Sequence, residues 1–327
     1  MTVTTPTHVD SSIPELWAKL VLRDHLRAGF WGKFAGPEGS RSPVIQVTDL
    51  LGQEGDSIWI QVTNPLTGSG VAGDVTALVG SEENLTSTSK KVVPLLYRHA
   101  VRWYRRANKK SIIGLREEAR MRLAEWGGEK MDDTRFANYV SSSTFNGETY
   151  TPNFIAAGGG TVGAADVAAG DKLDVQTIQI AKLTAYNNRA IPLVTSEGEE
   201  FFAMVAAPNT LYDLKRSDEY RDWVREAALK GEGNPFFRGA LAMVDGVLIF
   251  QHNNVTTAND GAASVAVSRN LLFGAEAFIE GVDEAPAWFE DDFDYGNEFG
   301  IAYSFAFQPR RGLEKNSLIV YAENTAP

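Results

Sequence analysis

The 327-residue sequence contains no cysteine, which excludes a disulfide scaffold, a thiol nucleophile and a cysteine-ligated metal. It has no run of about 18 apolar residues, so no transmembrane helix is expected. Its start lacks a basic segment followed by an apolar run, so no secretory signal is expected. Basic residues are in deficit, with 31 Lys and Arg against 42 Asp and Glu and a net charge of -11. A protein that coats nucleic acid is normally basic, so that class is disfavoured.

The motifs of common enzyme families are also missing. The sequence has neither the phosphate-binding GxxxxGK[ST] pattern nor the GxSxG pattern of a nucleophile elbow. The four histidines are scattered and do not pair at metal-ligand spacing. Gly158–Gly163 matches GxGxxG, but Pro152 and Asn153 precede it and a loop-like sequence follows, which favours a surface loop. We therefore expect no catalytic residues, no cofactor and no metal ion.

The composition is that of a folded protein, with 43% hydrophobic and 22% charged residues. The chain length suggests one elaborated domain or two. Segments with strand and helix periodicity intermix without a regular strand–helix–strand repeat. This arrangement favours an α+β fold over a doubly wound parallel sheet.

The first half of the chain contains a long hairpin pattern and a long helix pattern. Gly55–Thr63 and Val93–Trp103 both alternate apolar and polar residues, which predicts that they pair as a hairpin with a Gly- and Thr-rich tip. A hairpin of this length is marginal alone in water, so it needs a surface to lie on. Ser111–Met131 has apolar residues at helical spacing, and we expect Gly127-Gly128 to end or kink that helix. A shorter helical pattern covers Ile13–Phe34.

The second half mixes short strands with helices. After a loop-rich stretch over residues 141–170, Asp174 is placed to cap a helix that buries Ile178, Ala181 and Ala185. Ser217–Lys230 predicts another helix, ended by a glycine. The predicted strands are Phe201–Ala207, Val247–Gln251, Leu271–Phe273 (leading into a short helix), and a terminal pair formed by Ile301–Gln308 and Ser317–Ala322.

Charge is segregated along the chain. Lys90–Arg122 holds eleven Lys or Arg and two acids, whereas Glu280–Glu298 holds eight acids and no base. Three interpretations remain open. The segments form two solvated faces, or they match each other between neighbouring copies of the chain, or the basic segment contacts nucleic acid.

The order of the elements and several local sequences resemble one known family. The local sequences that carry the resemblance are PNTLYDLKRSDEYRDW from Pro208, NPFFRGALAMVDGVLIFQHNNV up to Val255, Asp49-Leu50, Gly55-Asp56-Ser57-Ile58 and Gly80-Ser81-Glu82-Glu83. These resemble the major capsid proteins of tailed bacteriophages, which have the Hong Kong 97-like capsid fold, and in particular the family named after the shell protein of coliphage N-four. The resemblance covers most of residues 45–322.

The resemblance implies a division of the chain. The implied parts are an N-terminal arm (1–50), an extended β-hairpin loop that lies across an adjacent subunit (51–104), a peripheral domain with a long spine helix (105–170 and 299–327) and an axial domain (171–298). No long charged helical segment precedes the arm, so a fused scaffolding segment is not expected.

The same resemblance implies a function and its partners. We expect a major capsid protein that assembles into pentamers and hexamers of an icosahedral shell around double-stranded DNA. Expected partners are other copies of the chain, portal, scaffolding and decoration proteins, and packaged DNA through weak non-specific contacts, with no membrane. The protein would belong to the virion and assemble in the bacterial host cytoplasm. Two alternatives remain, namely an encapsulin-like compartment shell and a carboxylate-based hydrolase that uses acids such as Asp291 and Asp294.

Residues from the hairpin, the basic segment and the acidic segment are the candidate inter-subunit contacts. They are Trp59, Leu66, Val71, Val75, Leu78, Arg102, Arg105, Arg106, Lys109, Lys110, Glu290, Asp291, Asp292 and Asp294.

Overall fold

The computed structural model describes residues 29–49, 55, 57–63, 66–73, 79–80, 82–111, 114–145, 148–194, 198, 200–222 and 242–325. In chain order the strands are β1 (Ala35–Pro37), β2 (Val44–Val47), β3 (Ile58–Thr63), β4 (Ser87–Val92), β5 (Leu95–Tyr104), β6 (Ser143–Phe145), β7 (Glu148–Tyr150), β8 (Asn153–Ala156), β9 (Leu193–Val194), β10 (Glu200–Ala206), β11 (Ala242–Val244), β12 (Val247–Gln251), β13 (Thr257–Ala258), β14 (Val267–Phe273), β15 (Phe278–Phe293), β16 (Glu298–Arg311) and β17 (Ser317–Glu323). The helices are α1 (Arg105–Lys110), α2 (Leu115–Val140), α3 (Val175–Asn187) and α4 (Pro208–Arg216).

Two large sheets carry the fold. One has five strands in the order β1-β2-β15-β16-β5, and the other has the order β11-β12-β10-β14-β17-β8, with β13 and β9 at its margins. Two further pairs, β3-β4 and β6-β7, form small separate sheets. Helices and mixed sheets share the chain without a strand–helix–strand repeat, which confirms the predicted α+β class.

The larger sheet is buried on both faces, because its central strand β10 is a continuous apolar run. Phe202 and Met204 face a layer formed by α3 and α4, whereas Ala203 and Val205 face the opposite layer. As predicted, α3 begins at a capping Asp174, whose side chain accepts a hydrogen bond from the backbone nitrogen of Thr177 at 2.7 Å. The helix then buries Ile178, Ala181 and Ala185 against the sheet.

The long helix α2 packs against both large sheets. Its 26 residues span about 39 Å at 1.5 Å per residue. In the first half, Ala119 and Leu123 pack on apolar side chains of β16 in the five-stranded sheet. In the second half, Phe136 and Tyr139 join the core of the larger sheet, where the ring of Tyr139 stacks on Phe278 at 3.8 Å between centroids. A single helix therefore fixes one sheet relative to the other.

The prediction that Gly127-Gly128 ends or kinks this helix is wrong, because α2 continues to Val140. Gly127 is buried against the ring of Tyr303, and a Cβ atom at this position would collide with that ring. The glycine is thus required by close helix–sheet packing rather than by a helix end.

A buried charged cluster lies where α2 passes from one sheet to the other. The guanidinium of Arg135 donates to both carboxylate oxygens of Glu280 on β15, at 2.5 and 3.0 Å, and to Asp132 at 3.2 Å. Tyr139 donates its hydroxyl to Glu280 at 2.9 Å, and the amide of Gln46 on β2 donates to the same carboxylate at 3.3 Å. The second oxygen of Asp132 accepts from the backbone nitrogen of Phe30 at 2.8 Å. Helix, strand and N-terminal segment are therefore joined by one hydrogen-bond network.

Burial and neighbouring charges shift the pKa values of this cluster. Burial by itself lowers the pKa of Arg135, but the Glu280 and Asp132 carboxylates outweigh burial and the net shift is upward. Burial, followed by the charge of Glu280, raises the pKa of Tyr139 well above its ordinary value. Arg135 therefore stays charged and Tyr139 stays a hydrogen-bond donor.

The N-terminal segment packs on the chain's own core where it is described. Trp31 is fully buried among Phe136, Tyr139, Phe273 and Phe278. The described part of the implied N-terminal arm therefore contributes Trp31 and Val44 to the core of the chain. Most of the helical pattern Ile13–Phe34 lies outside the described residues, which begin at Gly29 with only a 3-10 turn over Trp31–Phe34.

Three predicted strand arrangements are corrected by the pairing. β3 pairs with β4, whereas the predicted partner segment forms β5 and pairs with β16. The terminal strands do not pair with each other, because β16 lies in the five-stranded sheet and β17 in the larger one. β14 leads into the long strand β15 rather than a short helix.

Two other predicted segments differ in extent. The predicted loop over 141–170 contains the short strands β6, β7 and β8. The predicted helix Ser217–Lys230 is helical over 218–222, and its remaining residues lie outside the described part. The helix α4, which precedes it, was not predicted.

The sheets also bear on the implied domain boundaries. β15 and β16 pair from Phe278–Arg311 to Phe293–Glu298, so a boundary at residue 298 would cut through one hairpin. β17 pairs with β14 and β8 in the larger sheet, away from β16. We propose that residues 278–311 belong with α2 in one unit and that 317–323 belong with the larger sheet.

Replacing Gly127 by Ala tests the close helix–sheet packing. Alanine favours a helix by up to about 1 kcal/mol, but overpacking against Tyr303 costs about 1–3 kcal/mol, so we expect a net loss of stability in urea unfolding of the unassembled chain. Gly32→Ala is the control, because a Cβ atom there meets no atom within 4 Å. A Gly127→Ala variant as stable as the control would refute the packing argument.

The Arg135–Glu280 contact is tested by a double-mutant cycle in the same assay. Arg135→Met or Glu280→Gln alone leaves a buried charge without its partner and should lower the free energy of unfolding by about 3–5 kcal/mol. The double variant should lose less than the sum of the two. Arg122→Met removes two part-buried ion pairs on the same helix, with Glu118 and Glu125, and should cost about 1 kcal/mol, less than either loss at the buried contact. Purely additive losses would contradict the coupling.

Candidate functional site

The hairpin formed by β3 and β4 is anchored to the chain at its base only. Ile58 and Val92 pack with Val47 and Ile279 at the edge of the five-stranded sheet. Lys90 donates its ammonium hydrogens to the carbonyl of Gly312 and to the carboxylate of Glu314. The apolar cluster and the contacts of Lys90 therefore fix the direction in which the hairpin extends from the five-stranded sheet.

Beyond this base the hairpin exposes large apolar side chains. The exposed fractions are 53% for Trp59, 62% for Leu66, 87% for Val79 and 72% for Leu85. Among the described residues, β3 and β4 pair only with each other, which leaves both outer edges open. A two-stranded sheet with exposed apolar residues is marginal in water. Within the described residues, the hairpin beyond its base thus keeps a largely exposed surface.

Glu83 organises the loop beyond the hairpin strands. Its carboxylate accepts hydrogen bonds from the backbone nitrogens of Thr67 and Gly68, at 2.7 and 2.6 Å, and from the hydroxyl of Thr67 at 2.9 Å. These bonds lower the pKa of Glu83 below its ordinary value. The loop therefore has a defined local shape although it is exposed.

The acidic segment forms the outer half of a second hairpin, made by β15 and β16. Its turn contains Asp294 and Tyr295 at positive φ angles of 49°, and Tyr295 is fully exposed. Phe289 and Phe293 are also exposed on this hairpin. We call Phe289–Tyr295 the hairpin end.

Part of the predicted charge matching occurs inside the chain. Arg116 on α2 holds Glu290 through two nitrogens, at 2.7 to 3.1 Å, which raises the pKa of Arg116. Arg102 on β5 pairs with Glu298 at 3.1 Å and lies 3.9 Å above the ring of Phe293. The hydrogen bond between Glu298 and Tyr104 raises the pKa of that tyrosine.

The short helix α1 carries four cations that differ from Arg102 and Arg116 in forming no ion pair among the described residues. Arg105, Arg106, Lys109 and Lys110 are all exposed. Within the part of the chain that the structure describes, none of them has an ion-pair partner. Their helix starts beside the hairpin turn, where the backbone nitrogen of Arg105 donates to the carbonyl of Asn297 at 2.8 Å.

The predicted contact residues therefore fall into separate groups. Trp59 and Leu66 are exposed on the hairpin, Val71 is half-buried, and Val75 and Leu78 lie outside the described residues. Arg102 and Glu290 are engaged within the chain. The four α1 cations lie beside the hairpin end that carries Asp291, Asp292 and Asp294, but form no ion pair with it.

Sequence reasoning missed five exposed apolar residues, namely Val79, Leu85, Phe289, Phe293 and Tyr295. Each lies in a stretch rich in charged or small residues, where an isolated apolar side chain gives no periodic pattern. The sequence marks them only in that each is a large apolar residue within a segment whose other residues are typical of an exposed surface.

One cleft of the described structure lies beside the acidic segment. A cleft of about 300 Å³ lies between Trp103, Arg116, Glu290 and Phe299, but Glu290 is held by Arg116. In the described ranges, no three His, Asp or Glu side chains come together as metal ligands. No described helix combines the length and apolar character needed to cross a membrane.

The GxGxxG segment is a loop closed by its own aspartates. A strand, β8, precedes it, contrary to expectation, but only the 3-10 turn Ala164–Asp166 follows. Asp166 accepts a hydrogen bond from the backbone nitrogen of Val162, and Asp171 accepts one from that of Ala168. The carboxylates of Asp166 and Asp171 thus accept hydrogen bonds from backbone N–H groups of this loop, and backbone N–H groups are the donors that a phosphate-binding loop uses.

Comparison with known proteins gives a consistent result. A family model described as phage capsid protein matches residues 23–311. The curated major capsid protein of Pseudomonas phage KPP25 is 27% identical over 325 residues, which covers 88% of this chain and 86% of that protein.

Solved structures agree in fold. The capsid of Ralstonia phage GP4 has a TM-score of 0.79 at 22% identity, covering 100% of this chain and 99% of that chain. The Cyanophage Pam1 capsid has a TM-score of 0.80 at 16% identity, covering 98% and 99%. The expected Hong Kong 97-like capsid fold is confirmed.

Lys90→Met tests how the hairpin is held. The substitution keeps the apolar stem but removes the donors to Gly312 and Glu314, so we expect faster amide exchange in β3 and β4 and a stability loss of about 1–3 kcal/mol. Lys91→Met is the matched control, because the ammonium of Lys91 lies over the exposed ring of Trp59. Equal exchange in the two variants would show that Lys90 does not hold the base.

Proposed function

Since this chain belongs to the phage capsid protein family, we propose that it is the major capsid protein of a tailed phage whose copies close, as pentamers and hexamers, into an icosahedral shell around double-stranded DNA. As a member of that family it is a structural component of the virion, and it works by self-association. The relative from Pseudomonas phage KPP25, which bears the name major capsid protein, supports the first part of this proposal.

The unfinished hairpin is the observation that carries the proposal. The base of β3 and β4 is anchored to the five-stranded sheet, while Leu66, Val79 and Leu85 beyond it are 62%, 87% and 72% exposed. In an assembly, a neighbouring copy supplies the missing surface, so we propose that the hairpin lies across an adjacent subunit. Obligate interfaces bury about 2,000 Å² or more, and each copy should exceed that figure.

The candidate contact residues keep their proposed role with one change. Trp59, Leu66, Val71, Val75 and Leu78 are proposed to meet a neighbour through apolar contact. Arg102 and Glu290 are proposed to stiffen the surface of their own subunit, because Arg102 already pairs with Glu298 and Glu290 with Arg116 in the same chain. The α1 cations and the acids of the hairpin end remain available for contact between copies.

Further partners follow from the same proposal. We propose portal, scaffolding and decoration proteins as partners, and assembly in the host cytoplasm. A net charge of -11 supports weak, non-specific contact with packaged DNA, because an acidic wall does not hold phosphates tightly.

The two alternatives are less well supported. A compartment shell would share the fold, and protein rather than DNA inside purified particles would favour it. A hydrolase would need two carboxylates facing one substrate. Instead, Asp291 lines the cleft beside Arg116 and Asp294 does not. Asp291 accepts a hydrogen bond from the backbone nitrogen of Asp292, and Asp294 accepts one from the side-chain amide of Asn297. We therefore propose that the chain is not an enzyme.

Deleting Leu66–Ala77 tests the proposed function directly. The deletion removes apolar contact to a neighbour but leaves the anchored base, so we expect soluble capsomers or smaller species and no stable shells by electron microscopy and sedimentation. The unaltered chain should form megadalton particles. Val162→Ser, at a residue that is 75% exposed outside the hairpin, should assemble normally. Normal particles from the deletion variant would refute the role of the hairpin, and an unaltered chain that stays monomeric would refute the proposed function.

A further inference from the structure

The β15–β16 hairpin carries acids and aromatic rings that the chain's own arginines engage along part of its length. Arg116 holds Glu290, and the guanidinium of Arg120 lies 5.2 Å from the ring centroid of Trp288. On the other face, Arg102 combines both contacts, with Glu298 and with the ring of Phe293. Arginines of the same chain therefore engage both the acids and the rings of this hairpin.

Within the hairpin end, Arg116 and Arg102 engage Glu290 and Phe293, but other acids and rings there lie beyond these contacts. Asp291, Asp292 and Asp294 are exposed, as are Phe289 and Tyr295. Among the described residues, no Lys or Arg forms an ion pair with these three aspartates. Exposed aromatic side chains with a polar rim are typical of the parts of protein surfaces that bind other proteins.

The cations that would complete the pattern lie on α1 but do not reach the hairpin end of their own chain. The helix begins directly after Tyr104, which pairs with Glu298 in the sheet, and the backbone nitrogen of its first residue, Arg105, donates to the carbonyl of Asn297. The side chains of Arg105, Arg106, Lys109 and Lys110 nevertheless form no ion pair with the neighbouring acids. Two complementary surfaces therefore lie side by side, and in the described part of the chain neither forms an ion pair with the other.

We propose that the hairpin end of one copy docks onto α1 of a second copy, with arginines over Phe289 and Tyr295 and with Asp291, Asp292 and Asp294 facing the cations. This inference rests on the proposed function, because assembly supplies the second copy. Each copy offers both surfaces at the same end of its sheet, so a symmetric pair or a closed ring satisfies every contact.

The surface favours another copy over nucleic acid as the occupant. Phosphates would suit the α1 cations, but the adjacent aspartates would repel them. A second copy satisfies the cations and the acids together, and such matching fixes the register of docking more than its affinity.

A charge-swap experiment on the full chain tests the proposal. The basic reversal is Arg105→Glu/Arg106→Glu/Lys109→Glu, the acidic reversal is Asp291→Lys/Asp292→Lys/Asp294→Lys, and the third variant combines them. Each reversal alone should lower the yield of particles at low salt by about tenfold, because like charges then face each other, and the combination should restore it. Asp283→Lys/Glu284→Lys is the matched control on the same hairpin, away from its end, and should assemble normally.

The outcomes separate this inference from the proposed function. Unfolding of the unassembled variants should match the unaltered chain, since all residues substituted in the two reversals are exposed and, in the control, Glu284 is exposed and Asp283 half-buried. The docking proposal would be overturned if both reversals gave normal yields of particles, or if the combined variant did not restore the yield. In either case, particles formed by the unaltered chain would still support the proposed function. A basic reversal that assembles normally but packages less DNA would also overturn it, in favour of nucleic acid. Absence of particles from the unaltered chain would remove the proposed function itself.

Discussion

The buried contact between Arg135 and Glu280 is the constraint on which the other surfaces depend. Removing two charges from water is costly, and the cost is offset only because both carboxylate oxygens, Tyr139 and Asp132 complete the network. The network joins α2, which packs on both sheets, to β15, the strand that runs outward to the hairpin end. A shift of the helix would therefore displace the sheet junction and the exposed hairpin together.

Around this rigid centre the chain leaves specific elements without cover. The β3–β4 hairpin is fixed at its base by Lys90 and a small apolar cluster, and it exposes apolar residues beyond that base. The charge segregation has a similar outcome. Arg102 and Arg116 pair with Glu298 and Glu290 within the chain, whereas among the described residues the cations of α1 and the three aspartates of the hairpin end form no ion pair. A capsid protein acts through such surfaces, because its neighbours complete what its own core does not.

Local chemistry predicted local structure well. Asp174 caps its helix, Val247–Gln251 is a strand with those bounds, and the apolar run after Phe201 is buried. Pairing could not be predicted in the same way. The alternation in β5 is compatible with β3 or β16 as partner, and periodicity does not state which strand lies beside it. Gly127 was misread because its reason is Tyr303, which lies far away in sequence. For the surfaces, the sequence indicated where the charged segments lie, but it did not show which arginines would form ion pairs within their own chain.

The most direct test of this account is hydrogen–deuterium exchange of the full chain, compared between unassembled subunits and purified particles. Amides of α2 and of the central strands should be protected in both states, since the core is complete in one chain. Amides of β3, β4 and the loop between them should exchange rapidly in subunits and slowly in particles, because a neighbour covers them only after assembly. Equal exchange of the hairpin in the two states would contradict the claim that neighbouring copies complete it.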